Sequence, residues 1–186
     1  TNRREALRAA NYVFCVVRIG GLEAFAHDIE IPLKYGVDQC VGDTICAGGI
    51  LYAQRGIAAM LDFCKDIREV AEPGALLLNY ANPMAMMTWA AIQYGGVRTV
   101  GLCHGVQHGH QQIANVLGAP LEEVDIICSG INHQTWYIDV KHKGRKVTRE
   151  ELTEGFEKHP VYSRQEKVRI ISVRRSRDEE VAIYES

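Results

Sequence analysis

Three apolar runs, each closing on glycine or polar residues and each separated from the next by a helical pattern, constrain this chain more than any other feature. They are "NYVFCVVRIGG", "LLLNYANP" and "VRTVGLCHG". An uninterrupted apolar run is what a strand buried on both faces needs, whereas a strand with one wet face alternates. Between the first two runs, "GGILYAQRGIAAMLDFCKDIREVAEPG" carries Ile57, Met60, Leu61, Cys64 and Ile67 at helical spacing and stops at Pro73-Gly74. "PMAMMTWAAIQYGG" places a proline at the first helical position and closes on a glycine pair, and "GHQQIANVLGAP" behaves the same way. Parallel strands need long crossover connections, and helices of this size supply them. The pattern predicts an α/β fold, a parallel sheet with helices on both faces.

In such sheets, ligands bind beyond the carboxyl ends of the strands. The chemically loaded residues fall there: Arg18, Ile19, Gly20 and Gly21 after the first strand, Asn79 to Pro83 after the second, Cys103 and His104 after the third. "EEVDIICSG" reads as a fourth strand. "INHQTWYIDVKHKGRKV" reads as a hairpin turning at Lys143-Gly144, and "TREELTEGFEKHP" as a short helix. Together these predict a first domain over 1–129 and the start of a second, α+β domain over 130–186.

Composition narrows the partner. With 21 basic against 23 acidic residues in 186, the chain has no electrostatic footprint for nucleic acid or a membrane surface, which leaves a small molecule. No apolar run reaches the roughly 20 residues of a membrane span. The opening "TNRREALRAANYV" lacks the order of a signal peptide, so a cytoplasmic protein is expected. Its six cysteines form no C-x-x-C pair and sit mostly in apolar stretches, as buried thiols of a reducing compartment do.

Cys103 and His104 are neighbours on an extended segment and point to opposite faces, so they do not share an ion. One can be a ligand and the other a proton carrier. His108 and His110, two apart on a helical pattern, lie on nearly opposite sides, and at least one faces away. Solvation or capping is the ordinary role for such histidines. Asn132-His133 ends another apolar run and adds an imidazole. A thiolate and an imidazole from two strand ends make an open two-ligand metal site with positions left for substrate. By softness alone that pair suggests zinc.

"GDTICAGGI", "LLLNYANPMAMMTWA", "VGLCHGVQHG" and "SGINHQTWYIDV" resemble, in order, successive signatures of glycoside hydrolase family four, the NAD- and manganese-dependent glycosidases. The resemblance runs from Thr1 to about Arg175. It is closest to the α-galactosidase branch, which carries Cys-His where the 6-phospho-glycosidase branch carries Cys-Asp. A Rossmann-like sheet is implied, with NAD and Mn²⁺ as cofactors and a homo-oligomer, dimer or tetramer, at full length. The implied reaction oxidises carbon 3 of the sugar, which acidifies the proton on carbon 2; elimination of the glycosidic oxygen, addition of water and return of the hydride follow. By the same resemblance Cys103 and His133 are the metal ligands, His104 assists the leaving group, and Asn82 and Asn132 hydrogen-bond the sugar. Asn79 and the loop Arg18, Ile19, Gly20, Gly21 then lie near the cofactor. The chain offers no basic cluster near these motifs for a phosphorylated sugar.

Three departures accompany the resemblance. No G-x-G-x-x-G occurs, so the chain is expected to start after the phosphate-cradling turn. Cys46-Ala47 replaces a usual Gly-Pro. After "EKVRIISVRR" the family's pattern gives way to "SRDEEVAIYES", where Tyr184 is a weak stand-in for a base. Two other readings stay open: a truncated, non-catalytic relative, and a 2-hydroxy-acid dehydrogenase of the lactate and malate type. The dehydrogenase also has Asn-Pro after a strand but needs an arginine in the next helix, and "PMAMMTWAAIQYGG" has none.

Overall fold

The computed structural model describes residues 2–39 and 42–162. The chain divides into two compact units, Thr1–Cys103 and His104–Ser186. Tyr184 and the segment around it lie outside the described residues.

In the first unit, β1 (Tyr12–Cys15), β2 (Leu76–Asn79) and β3 (Arg98–Gly101) form a parallel sheet in that order. Cys15 lies beside Asn79, and Asn79 beside Gly101, so the three strands end flush. The helices α2 (Gly21–Leu33) and α3 (Cys46–Val70) connect β1 to β2, and α4 (Met84–Ala90) connects β2 to β3. The short α1 (Arg3–Leu7) packs on α3, where Arg3 and Arg4 both pair with Asp66. Pro83 caps α4 rather than opening it, and a single π turn over Ala91–Gly95 precedes the left-handed Gly96.

Alternation decides what the sheet buries. Cys15 and Leu77 point to one face and join Met60, Cys64 and Ile67 of α3 and Met87 of α4 in the core. Each such side chain contributes about 1.5–3 kcal/mol on burial. Gly101 lies on the same face, where a side chain would collide with Met84 and Thr88 of α4. Burial pushes the Cys15 thiol up to about 11, with Cys64 nearby adding to the shift. Among the described cysteines only Cys15 and Cys64 are buried, while Cys46 is exposed. The expectation of burial on both faces fails for β1. Tyr12, Phe14 and Val16 are 72%, 60% and 59% exposed, because the described helices pack on the other side.

The second unit holds β4 (Val124–Ile131), β5 (Gln134–His142) and β6 (Arg145–Lys146), all antiparallel, with α5 (Gly105–Leu117) and α6 (Arg149–Lys158). Here β4 departs from expectation, since it pairs with β5 rather than extending the parallel sheet. Only two residues, Asn132 and His133, join the strands, and so short a link permits only antiparallel pairing. The expected division at 129/130 therefore falls inside β4. The turn at Lys143-Gly144 is as expected, with both residues left-handed. A capping box between Thr148 and Glu151 starts α6, and Leu152 and Phe156 meet Ile113 of α5 and Val140 of β5 in this unit's core.

Gly49 gives a test of the first unit. It lies inside α3, where alanine ordinarily gains about 1 kcal/mol over glycine. A Cβ at 49 would run into the Thr44 backbone carbonyl, which cannot swing aside as a side chain can. Overpacking of this kind costs about 1–3 kcal/mol, so the collision outweighs the helix preference. Urea unfolding of Gly49→Ala should show a lower midpoint than the parent.

Candidate functional site

At the flush strand ends of the first unit, the structure gathers a polar cluster around Asp43. Its carboxylate accepts from Asn82 Nδ2 at 3.0 Å, from Thr44 Oγ1 at 3.0 Å and from Arg18 Nη2 at 3.3 Å. The Arg18 guanidinium also lies over the rings of Phe25 in α2, 4.4 Å from the centroid, and Tyr52 in α3, 5.1 Å away. Beneath, Arg55 forms a two-pronged pair with the buried Asp28 at 2.8 and 2.6 Å, which ties α2 to α3. An ionised Asp43 can only accept, so one N–H of the Asn82 amide is committed to it and the orientation of the amide is fixed. The Asn82 carbonyl oxygen is then the group that can receive a ligand's hydroxyl proton.

Gly20 and Gly21, at the start of the 13-residue α2, are left-handed (φ 85° and 62°) and exposed. Nothing lies within 4 Å of where a Gly21 side chain would project. This open backbone at a positive helix end fits the approach of a dinucleotide. Ile19 is half-buried beside it.

Asn79 sits at the end of β2 and is bonded within its own turn. Its side chain is 0% exposed. Its Nδ2 donates to the carbonyls of Ala81 and Met84 and to Thr88 Oγ1, and its Oδ1 accepts from the Ala81 amide. These bonds shape the turn that carries Asn82. Its carbonyl holds the Leu102 amide at 2.8 Å, which fixes the strand end leading to the half-buried Cys103.

His104 opens the second unit as the N-cap of α5 and is exposed. Its ring meets that of His108, with centroids 4.2 Å apart. His110 is turned inward, with Nε2 2.6 Å from the Val124 carbonyl. The Tyr137 hydroxyl donates to the Val106 carbonyl at 3.0 Å, and burial pushes it up to about 12. In the β4–β5 turn, His133 is left-handed at φ 63°, and Asn132 Oδ1 is buried without a hydrogen-bond partner among the described residues. Left-handed backbone is uncommon outside glycine, although histidine is among the residues that adopt it in turns, and an unsatisfied buried oxygen costs about 1–3 kcal/mol. Such defects gather where a ligand completes the structure. Both fit a cation held with the help of His133.

Cys103 lies in one unit and His133 in the other, and among the described residues no three His, Cys, Asp or Glu side chains form a ready cluster. Asp43 is absent from the sequence-derived candidates. Apart from the adjacent Thr44, its partners stand 25 and 39 residues away, so no local spacing announces them.

Residues 1–119 match the family described as family 4 glycosyl hydrolase. An α-galactosidase of Rhizobium meliloti (strain 1021) is 70% identical over 175 residues, which cover 94% of this chain and 36% of that protein. An α-galactosidase of Bacillus subtilis (strain 168) is 38% identical over 144 residues, covering 77% and 33%. Among solved structures, the 6-phospho-β-glucosidase of Thermotoga maritima with manganese, NAD⁺ and glucose-6-phosphate superimposes with a TM-score of 0.72 at 29% identity, covering 86% of this chain and 38% of that one. The chain thus spans about a third of the length of the relatives it matches. Its parallel sheet is of the Rossmann type seen in those neighbours. On the match over 1–119 and this identity to its relatives, the chain belongs to family 4 of the glycosyl hydrolases.

Proposed function

We propose that this chain forms part of an α-galactosidase that cleaves an O-glycosidic bond by oxidation, elimination and hydration, with NAD and Mn²⁺. The observation that carries the reading is the pairing, in one turn, of a left-handed His133 with an Asn132 oxygen that is buried and without a partner among the described residues. Cys103 as thiolate and His133 as neutral imidazole would hold the cation, and the backbone from Arg18 to Gly21 would hold the dinucleotide. When bound, NAD would supply a hydride acceptor and Mn²⁺ a Lewis acid.

The chain's own groups do the positioning. Asn82, its amide held by Asp43, accepts a sugar hydroxyl through Oδ1. His104, exposed at the start of α5, serves as the general acid that delivers a proton to the departing oxygen. Asn132 Oδ1 accepts a second hydroxyl. The 70% identical α-galactosidase supports a galactoside over a phosphorylated sugar.

A hybrid tests the reading. With the matching stretch of the Rhizobium meliloti enzyme replaced by this chain's residues, it should hydrolyse an aryl α-galactoside only when both NAD and Mn²⁺ are present. A well-folded hybrid with no such activity would favour a non-catalytic relative.

A further inference from the structure

His104 and His108 stand one helical turn apart at the start of α5, their ring planes inclined by 52° and their centroids 4.2 Å apart. The His108 amide donates to the His104 carbonyl at 2.9 Å, so the first turn of the helix fixes their separation. Both side chains are exposed. The third imidazole nearby, His110, is held on the Val124 carbonyl and takes no part.

We propose that His104 and His108 form a two-imidazole clamp for a borderline divalent cation, Zn²⁺ being the representative, and that filling it silences His104. Imidazoles four apart on a helix share a face and can grip one ion, as two such histidines do in helical zinc sites. With both rings on one rigid turn, the second is presented at high effective concentration once the first has bound. Imidazole pairs suit zinc, copper and nickel, whereas manganese prefers oxygen donors. The clamp thus selects against the ion proposed for catalysis. A nitrogen lone pair bound to a cation cannot carry a proton, so an occupied clamp removes the group that serves the leaving oxygen. The clamp itself stands on geometry alone; only the silencing rests on the role proposed for His104.

Imidazole signals of the reduced 186-residue chain, followed by NMR during titration with Zn²⁺ alone, test the clamp. The His104 and His108 signals should move together with one midpoint while His110 stays still. His108→Ala should raise the His104 midpoint at least about tenfold, since even an outer-shell partner of a metal site is worth that much. A His104 midpoint unchanged by His108→Ala, or His108 signals that never move, would overturn the clamp. In the hybrid enzyme at saturating Mn²⁺, Zn²⁺ should inhibit, and His108→Ala should raise the half-inhibiting concentration by a similar factor. Clamp binding without that inhibition would overturn the silencing. An inactive hybrid would count against the proposed activity, while the NMR titration of the chain alone still decides the clamp.

Discussion

Galactose released by the hybrid enzyme in D₂O, with NAD and Mn²⁺, should carry about one deuterium at carbon 2. A two-carboxylate glycosidase displaces the leaving group at carbon 1 and never breaks the neighbouring C–H bond. Oxidation at carbon 3 makes that bond acidic, and solvent then refills the position. The contrast is between no label and nearly full label, which proton NMR and mass spectrometry of the product read directly. His104→Ala sharpens the test. General-acid help is worth about 10²–10⁴, so alkyl galactosides should slow by that order and nitrophenyl galactosides far less. Unlabelled galactose from an active hybrid would reject the redox route.

The second large effect concerns the cation. Cys103→Ala and His133→Asn should each cut manganese activation of the hybrid by more than the roughly 10–100-fold lost with an outer-shell partner. Choosing asparagine at 133 separates ligation from folding. The position is left-handed at φ 63°, a conformation asparagine tolerates better than histidine does, so thermal stability should hold or rise while the metal response disappears. His110→Ala should do the opposite. It forfeits the bond to the Val124 carbonyl, at a cost of about 1 kcal/mol, and leaves manganese activation in place. Undiminished activation after Cys103→Ala would remove that thiol from the metal site.

The parallel sheet was legible because apolar runs and long helical crossovers jointly exclude most alternatives. What a run does not state is whether anything covers it, and the expectation for Tyr12, Phe14 and Val16 failed on that point. The strand at Val124–Ile131 was visible too, but its partner was not. Direction of pairing is set by the link, and Asn132-His133 lacks the glycine that marks the Lys143-Gly144 turn. Asn79 shows what spacing leaves unsaid about a single side chain, since a polar residue at a strand end looks alike in sequence whether its amide is open or, as here, bonded within its own turn. Asp43 was hidden for a different reason. Its meaning lies in Arg18 and Asn82, which only the folded sheet brings to it.

Among the described residues one side of the three-stranded sheet is left exposed, and that side bears on how this polypeptide behaves in a test tube. Tyr12 and Phe14 on one edge strand, Val16 just past its end and Val100 on the other edge strand turn an oily surface to water, with Phe14 and Tyr80 stacked on the β1 side, 6.1 Å between centroids. A formal charge of −2 offers little repulsion to keep copies apart. Colloidal stability therefore depends on that surface more than on the buried core: concentration and salting-out agents act on it first, and an aspartate or glutamate placed at position 12 or 14, which deepens the net negative charge, would improve solubility without touching a residue of either proposed site.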